Sequence, residues 1–421
     1  MADRTIARRR PKATARASHL RLVRAEELMR PAPTAVATAR RNLTLLLVPT
    51  ALLTVIGLVM ILSAGSISAV EGYGTSFWYF NRQSLYAVAG VVGLVVAARV
   101  PYTFWRRAAI PMLVLLLPVM LLTLHPALGS SLYGAARWIY LGPITLQPAE
   151  FAKLLTICAA AAILSRPWKD LDRPRDAFLP LAPLVAVVAG VVMLQKDLGT
   201  TVVICGSVFL LLFAAGLRPR YLVWTALGGV AAISYFIFGT AYRKTRLLEA
   251  WLNWELDPSG AGWQLRQGLI AIGSGGWLGI GLGNSRQKWD YLPNAHSDFV
   301  FAVLGEELGL LGALAVLSLF GILLFAGIRI AMNAPDAFGR LVAAGITGWI
   351  GLQTLVNLGA VTGLLPITGV PLPFLSFGGT ALVVTLAGVG VIASVGLDGV
   401  RSAGRRRVGE RSRPTVSGSR R

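Results

Sequence analysis

The chain has 421 residues, of which 55% are hydrophobic and only 14% are charged, and its mean hydropathy is +0.65. A soluble protein normally carries about 25% charged residues, so this composition excludes an ordinary soluble domain. The net charge of +21 would suit nucleic acid binding, but the distribution of the basic residues along the chain favours a membrane instead.

Ten apolar segments follow one another, each long enough to cross a bilayer as a helix, which takes about 17–25 residues. They cover residues 43–65, 83–100, 108–125, 149–165, 179–195, 200–216, 221–238, 299–325, 341–360 and 379–397. Helices suit the bilayer because each satisfies its own backbone. We therefore predict an all-α integral membrane protein with ten transmembrane helices and a large extracytoplasmic loop between helices 7 and 8.

The basic residues predict the orientation. If the N-terminus is cytoplasmic, 30 of the 40 Lys and Arg residues fall in the two tails and the cytoplasmic loops, as the positive-inside rule requires. We expect the basic tails, residues 1–42 and 398–421, to be cytoplasmic and disordered. We expect them to contact anionic membrane lipids rather than nucleic acid. Residues 43–397 then form one membrane domain.

Two irregular segments stand out. Residues 239–298 form a loop of about 60 residues, too long for a plain connector, and their tryptophans predict short amphipathic helices on the outer membrane face. Residues 361–379 are apolar and rich in Pro and Gly. Such backbone at membrane depth must be buried in protein or line a cavity.

The glycine-rich run at residues 273–283 resembles a phosphate loop only superficially. No strand precedes it and no Lys-Ser/Thr pair follows it, so we predict no bound nucleotide. Two interpretations stay open: a loop that needs tight turns, or a contact with a lipid-linked diphosphate.

Asp298 is the strongest candidate for a catalytic residue. It ends the polar run KWDYLPNAHSD and precedes an apolar helix, and a carboxylate at such a boundary is a functional candidate because it is costly to desolvate. At 100° per residue, Ala302, Gly305, Gly309 and Gly312 share its face within about 40°. This stripe predicts either close helix packing or room for a substrate groove.

Several other charged residues have both a structural and a functional interpretation. Glu150 and Lys153 are three residues apart and share one helix face. They are expected to form either a structural ion pair or part of a polar cavity. Asp197 precedes a helix and is expected to cap it. Glu307 falls on the helix face opposite Asp298, so the two do not form an adjacent acid/base pair.

The candidates outside the membrane are mostly cationic. Arg137, Arg243 and Arg246 are either solvated charges or ligands for an oxyanion, which Arg binds bidentately. His296 is expected to be a positioning or surface residue rather than a metal ligand. Four further residues are added as candidate cavity residues: Gln264, Ser376, Gly378 and Gly379.

These motifs together resemble the SEDS family of bacterial membrane glycosyltransferases. The matching segments are residues 134–138, 147–153, 197–200, 283–299, 305–309 and 365–379. They occur in order over roughly residues 43–397, and KWDYLPNAHSD resembles the FtsW division branch more than the RodA elongation branch. The chain departs from the family at Lys196, Ser297, Phe377 and Thr380, where Pro, Thr, Tyr and Ser are frequent; Phe377 puts any role of a phenolic hydroxyl there in doubt.

The resemblance implies polymerisation of lipid II, a disaccharide-pentapeptide on undecaprenyl diphosphate, on the outer face of the bacterial plasma membrane, at the division septum. It implies Asp298 as the catalytic base. Arg243, Arg246, Lys153 or a divalent cation, Mg²⁺ or Mn²⁺, would neutralise the leaving diphosphate. It also implies a class B penicillin-binding transpeptidase and other divisome membrane proteins as partners. A transporter that flips lipid II, or an elongation or sporulation member of the family, is the alternative.

Overall fold

The computed structural model describes residues 33–125, 129–132, 135–142, 144–166, 174–239, 244–245, 247–252, 255 and 262–411. Arg243 and Arg246, two of the alternative candidates for neutralising the diphosphate, lie outside these residues. Within the described ranges, eleven α-helices follow in chain order. They are α1 (Pro33–Tyr73), α2 (Trp78–Arg99), α3 (Tyr102–Leu122), α4 (Pro148–Leu164), α5 (Pro174–Leu194), α6 (Leu198–Ala214), α7 (Pro219–Phe238), α8 (Trp263–Ser274), α9 (Val300–Met332), α10 (Ala337–Val361) and α11 (Gly379–Arg411).

Each of the ten predicted apolar segments coincides with one of these helices, so the helical membrane architecture is confirmed. Eight helices are long and apolar enough to cross a bilayer: all except α4, α6 and α8. Helices α4 and α6 have 17 residues each and rise about 25 Å at 1.5 Å per residue. The predicted count of ten spans depends on these two.

The helix ends differ from the ends of the apolar segments. Helix α1 begins at Pro33, ahead of the apolar run, and α11 continues to Arg411. Lys and Arg are good helix formers, so a helix continues through a basic stretch after its apolar part has ended. Hydropathy marks the part that suits the bilayer rather than the limits of the helix.

Helix α4 lies at the centre of the bundle. Nearly all of its side chains are buried, and it contacts α3, α5, α6, α10 and α11. Beside it, α2 and α11 approach closely because glycine faces the neighbouring backbone. A Cβ on Gly390 would lie only 2.3 Å from the carbonyl oxygen of Leu94, so the contact requires glycine.

The connector between α3 and α4 contains a small antiparallel sheet that the sequence reasoning did not predict. Its strands are β1 (Gly129–Leu132), β2 (Ala135–Leu141) and β3 (Ile144–Leu146), in the order β1-β2-β3. Aromatic and β-branched residues in β2 and β3 suit a pleated strand, and Tyr140 pairs with Thr145. Strand β2 carries Arg137, whose side chain lies beside Asp197.

Helix α9 is interrupted at Gly309, whose φ of 66° and ψ of −168° are not helical. The glycine-rich run 273–283 inserts at this break. Four backbone bonds join the two: Ile280 N to Glu306 O, Gly281 N to Glu307 O, Leu310 N to Gly276 O and Leu311 N to Trp277 O, at 2.9–3.2 Å. The run's backbone groups are thus used within the protein, which supports the tight-turn interpretation.

The break corrects the predicted helical stripe. Helix α9 begins at Val300 and not at Asp298, and its regular turns end before Gly309. Ala302 and Gly305 are buried in the first turns. Gly312 follows the break and is not on a continuous face with Asp298, because a single helical period cannot be extended through a non-helical residue.

Candidate active site

Asp298 lies in the turn that leads into α9. Its backbone N–H donates to the Asn294 carbonyl at 3.2 Å, and Asn294 adopts a positive φ of 55°. The Asp298 carbonyl accepts from the Asn357 side-chain amide at 2.9 Å. A Cβ added to Gly369 would lie 3.5 Å from Asp298 Oδ2. The carboxylate therefore faces the irregular segment between α10 and α11.

That segment, residues 362–378, is held by side chains of α10 and by its own turn. Gln353 donates to the Pro371 carbonyl and Asn357 to the Val370 carbonyl, both at 2.9 Å. Within the segment, the Ser376 hydroxyl accepts from Leu372 N at 2.8 Å. Residues 370–376 are mostly buried, whereas Leu364 and Leu365 are 75% and 40% exposed. The expectation that this irregular backbone is buried in protein or lines a cavity is therefore met only in the second half of the segment.

Ser376, Gly378 and Gly379 support the backbone of this segment. Gln83 donates to the Ser376 carbonyl and accepts from Gly378 N, both at 3.3 Å. A Cβ on Gly379 would lie 2.2 Å from the ring of Tyr86, so only glycine fits there. The contacts of these three predicted cavity residues give them a supporting role in the wall beside Asp298.

His296, two residues before Asp298, is enclosed by aromatic rings. It stacks on Tyr79 with ring centroids 4.3 Å apart and meets Phe377 edge-on at 5.8 Å, while its carbonyl accepts from Phe377 N at 3.0 Å. Burial lowers the pKa of His296 to about 4, because it disfavours the charged imidazolium. His296 is thus neutral at neutral pH, which supports the positioning role.

Glu150 and Lys153 form the predicted ion pair, and it is buried. Lys153 Nζ lies 2.8 Å from Glu150 Oε2, and both side chains are only 2% exposed. Lys153 Nζ also donates to Gln353 Oε1 at 2.9 Å, and Trp349 Nε1 donates to the same oxygen at 2.8 Å. The Lys153 ammonium is therefore buried and paired within the protein, so it is not positioned to bind a diphosphate.

Asp197 caps α6, as predicted. Its carboxylate accepts from Thr200 N at 3.0 Å and from Thr200 Oγ1 at 2.9 Å. Arg137 Nε lies 3.5 Å from Asp197 Oδ2, and Arg137 Nη2 donates to the Lys196 carbonyl at 3.0 Å. Arg137 thus joins the small sheet to α6. Gln264 similarly joins α8 to the Pro293 carbonyl at 3.1 Å.

The two adjacent acids of α9 hold the loop ahead of Asp298. Glu306 accepts from Ser285 Oγ at 2.5 Å and from Arg286 N at 3.1 Å. Glu307 accepts from Ser63 Oγ at 2.5 Å and from Ser285 N at 3.3 Å. Both are buried. The interpretation that Glu307 is not an acid/base partner of Asp298 agrees with these contacts.

A cleft of about 410 Å³ opens between α1 and this loop. It is lined by Val59, Leu62, Ser63, Ser66, Ser76, Phe77, Leu282, Gly283 and Lys288. On the same stretch of α1, a Cβ on Gly65 would contact both Tyr79 and His296. The cleft therefore lies beside the aromatic group that packs around His296, and Lys288 gives it a cationic wall.

The described residues do not fit a protein-built metal site, because among them no three His, Cys, Asp or Glu side chains come together. Mg²⁺ is usually held by one or two carboxylates plus substrate phosphates. The expectation of Mg²⁺ or Mn²⁺ stays a prediction.

Sequence reasoning missed Gln353 and Asn357. They are four residues apart on α10, both buried, and together they join Lys153, the irregular segment and Asp298. A signal was present: two carboxamide side chains at helical spacing in an apolar helix are functional candidates, since buried polar groups in a membrane are costly.

The FtsW/RodA/SpoVE family, described as cell cycle protein, matches residues 43–398. A probable peptidoglycan glycosyltransferase FtsW of Geobacter metallireducens is 40% identical over 357 residues, 85% of this chain and 94% of the relative. Stage V sporulation protein E of Bacillus subtilis is 40% identical over 351 residues, 83% of this chain and 96% of the relative.

Solved structures agree with this similarity. A chain of a peptidoglycan synthase complex, described as coordinating polymerization and crosslinking, has a TM-score of 0.69 at 31% identity and covers 84% of this chain and 97% of its own length. The rod shape determining protein RodA of Thermus thermophilus has a TM-score of 0.63 at 30% identity, with 84% and 96% covered. The chain belongs to the FtsW/RodA/SpoVE family of cell cycle proteins.

Proposed function

We propose that this protein is a peptidoglycan glycosyltransferase that polymerises lipid II into glycan strands during cell division, with Asp298 as the general base. The observation that carries the proposal is the placement of Asp298. Its backbone is fixed by Asn294 and Asn357, and its carboxylate faces Gly369 in the irregular segment between α10 and α11. The activity agrees with the names of the family relatives.

The reaction is a displacement at the anomeric carbon of the donor sugar. Asp298 removes the proton from the acceptor sugar hydroxyl as the oxygen forms its bond to that carbon. The bond between the anomeric carbon and the lipid diphosphate breaks, and its electron pair leaves on the diphosphate oxygen. A general base in this position typically contributes about 10²–10⁴-fold to the rate. The backbone bonds to Asn294 and Asn357 hold the carboxylate in one place before substrate arrives.

The leaving diphosphate needs positive charge nearby. Lys153 is paired with Glu150 and Gln353. Lys288 is also largely buried and bonds to the Gly283 carbonyl, but it borders the cleft between α1 and the 283–288 loop. We assign Lys288 the role of attracting the diphosphate. The apolar residues Val59, Leu62 and Phe77 of the same cleft suit the lipid that carries it.

The proposed partner is a class B penicillin-binding transpeptidase, which would crosslink the new strands together with other divisome membrane proteins. The structural similarity to a chain of a complex that coordinates polymerization and crosslinking supports this. Because the chain is similar to both FtsW proteins and a sporulation protein, a test in cells is needed to assign the division role. The chain should restore septation to a bacterium depleted of its division enzyme.

We also propose that both termini are cytoplasmic and that Asp298 faces the outside, at the division septum. The excess of Lys and Arg in the tails and in one set of loops supports this orientation. Cysteines introduced at positions 415 and 260 should react differently with an impermeant reagent in intact cells. Labelling at 415 but not at 260 would contradict the orientation.

The test of the function is strand formation from purified lipid II by the protein with its transpeptidase partner. Asp298→Asn, which keeps size but cannot act as a carboxylate base, should lower the rate about 10²–10⁴-fold while the protein stays folded and binds its partner. Asp290→Asn, an exposed acid in the same loop, is the matched control. Glu307→Gln should affect the chemical step less. A near-normal rate for Asp298→Asn would refute the assignment and favour a lipid II transporter.

A further inference from the structure

A second cleft, of about 300 Å³, lies between α1 and α9 far from Asp298. It is lined by Arg41, Asn42 and Leu45 of α1 and by Phe325 and Arg329 of α9. Asp298 precedes α9, and Arg329 follows Val300 by on the order of 40 Å of helix at 1.5 Å per residue. The cleft is therefore separate from the proposed active site, at the end of the bundle that the charge distribution places in the cytoplasm.

The cleft brings together two guanidinium groups from different helices. Neither Arg41 nor Arg329 forms an ion pair with an acidic side chain in the described part of the chain, and Arg329 lies 5.6 Å from the ring of Phe325. Two like charges held close together repel each other unless an anion joins them. Guanidinium groups present paired donors that match a phosphate.

Asn42 adds a second requirement for a ligand of this cleft, namely a hydrogen-bond donor. It is only 3% exposed, and its Oδ1 has no hydrogen-bond donor among the described residues. A buried acceptor left unpaired is costly, so a ligand that carries a donor next to its anion would satisfy it. On the membrane side, Leu45 and the exposed ring of Phe325 offer apolar surface to an acyl chain.

From these contacts we infer that this cleft binds the phosphoglycerol headgroup of an anionic phospholipid. The phosphate contacts Arg41 and Arg329, a glycerol hydroxyl donates to Asn42 Oδ1, and the acyl chain lies on Leu45 and Phe325. Basic pockets between transmembrane helices at the cytoplasmic face bind anionic headgroups of this kind. A bound lipid joins the cytoplasmic ends of α1 and α9. The inference does not depend on the glycosyltransferase activity.

The experiment measures lipid retention by native mass spectrometry of the purified full-length protein. The probes are phosphatidylglycerol, phosphatidylcholine and phosphatidylmethanol, with glycerol phosphate and inorganic phosphate as soluble anions. Phosphatidylcholine has no net charge, and phosphatidylmethanol is an anionic phosphodiester without a headgroup hydroxyl. Wild-type protein should prefer phosphatidylglycerol over phosphatidylcholine by at least about tenfold, because choline places a positive charge beside the two arginines and has no hydroxyl for Asn42.

The variants separate the two parts of the site. Arg41→Gln and Arg329→Gln should each weaken phosphatidylglycerol retention about tenfold. Arg40→Gln should not, because Arg40 is an exposed neighbour on the same helix and does not line the cleft. Asn42→Leu should abolish the preference for phosphatidylglycerol over phosphatidylmethanol. Gel filtration of each variant verifies folding independently of activity.

Three results would overturn the inference. Equal retention of phosphatidylglycerol and phosphatidylcholine would show that the cleft does not select a headgroup. Equal losses in Arg329→Gln and Arg40→Gln would show only a general effect of positive charge. Binding of glycerol phosphate or inorganic phosphate as tight as that of the lipid would identify a site for a soluble anion instead.

Discussion

The side-chain amide of Asn357 donates a hydrogen bond to the main-chain carbonyl of Asp298 at 2.9 Å. The same nitrogen donates to the carbonyl of Val370, also at 2.9 Å. One buried amide therefore fixes both the turn that carries the carboxylate and the segment that faces it. Its Oδ1 has no donor among the described residues, so the amide is present despite an energetic cost, as expected of a positioning residue.

Replacing Asn357 with Leu should lower kcat about 10–10²-fold while KM changes little. The carboxylate would lose its fixed position, and a misplacement of about 1 Å can cost about 10²-fold, whereas the substrate contacts are untouched. Steady-state kinetics on lipid II measures both constants.

The matched control for Asn357 is Thr354→Val on the same helix. Thr354 is buried but bonds only to the Ile350 carbonyl of its own helix, at 2.8 Å. The Thr354→Val variant should keep the kcat of the wild-type protein. Equal effects of the two substitutions on kcat would mean that Asn357 supports the helix and not the carboxylate.

Removing one charge of the buried Glu150–Lys153 pair should destabilise the folded protein. Lys153→Met leaves Glu150 buried without its cation, and breaking a buried pair typically costs about 3–5 kcal/mol. Glu150→Gln combined with Lys153→Met removes both charges and should recover part of the loss. The thermal unfolding midpoint in detergent, measured for the single and double variants, gives the coupling.

Activity distinguishes the two interpretations of this pair. Because Lys153 also bonds to Gln353, which holds the Pro371 carbonyl, the single variants should lose polymerisation as well as stability. Lys244→Met, at an exposed lysine, should change neither. If Lys153→Met expresses well and polymerises lipid II at the normal rate, the pair has no role in shaping the site.

His296 predicts a pH dependence of stability. Its pKa falls from 6.5 to about 4 in the folded protein because of burial, so between these values the unfolded chain binds more protons than the folded one. Stability from this residue is present above pH 6.5 and is lost as the pH falls towards 4. His296→Phe keeps the ring packing against Tyr79 but cannot be protonated. Its unfolding midpoint should fall less than that of the wild type between pH 7 and 4; parallel curves would exclude this role.

The sequence predicted the architecture because membrane spans are set by a strong, local signal. Each apolar segment had the length and composition of a span, and each coincides with a helix. The capping role of Asp197 and the Glu150–Lys153 pair were predictable for a similar reason, whereas the catalytic role of Asp298 stays a prediction. A helix boundary and a spacing of three residues are local properties of the chain.

The long-range contacts could not be predicted. Asn357 and Asp298 are 59 residues apart, and no local pattern states that they meet. The helix break at Gly309 depends on a loop about 30 residues earlier that supplies backbone partners; glycine in a membrane helix is otherwise ordinary. The small sheet depends on pairing between strands of four, seven and three residues, and none of them alternates apolar and polar residues over the four or more positions that indicate a strand.

Lys288 provides the last prediction, which concerns substrate binding. Its ammonium lines the cleft beside α1 and bonds to the Gly283 carbonyl. Lys288→Gln should raise KM for lipid II, because a hydrogen bond to a charged group contributes about 1.5–3 kcal/mol, which corresponds to roughly 10–100-fold in binding. Arg286→Gln makes the same charge change in the same loop at an exposed side chain whose residue is held through its backbone, and it should leave KM nearly unchanged. Lys288→Arg keeps the charge and should restore most of the binding if charge is what matters. A rise in KM that is equal in the Lys288→Gln and Lys288→Arg variants would instead show that the bond to Gly283, and not the attraction of the diphosphate, is the role of this residue.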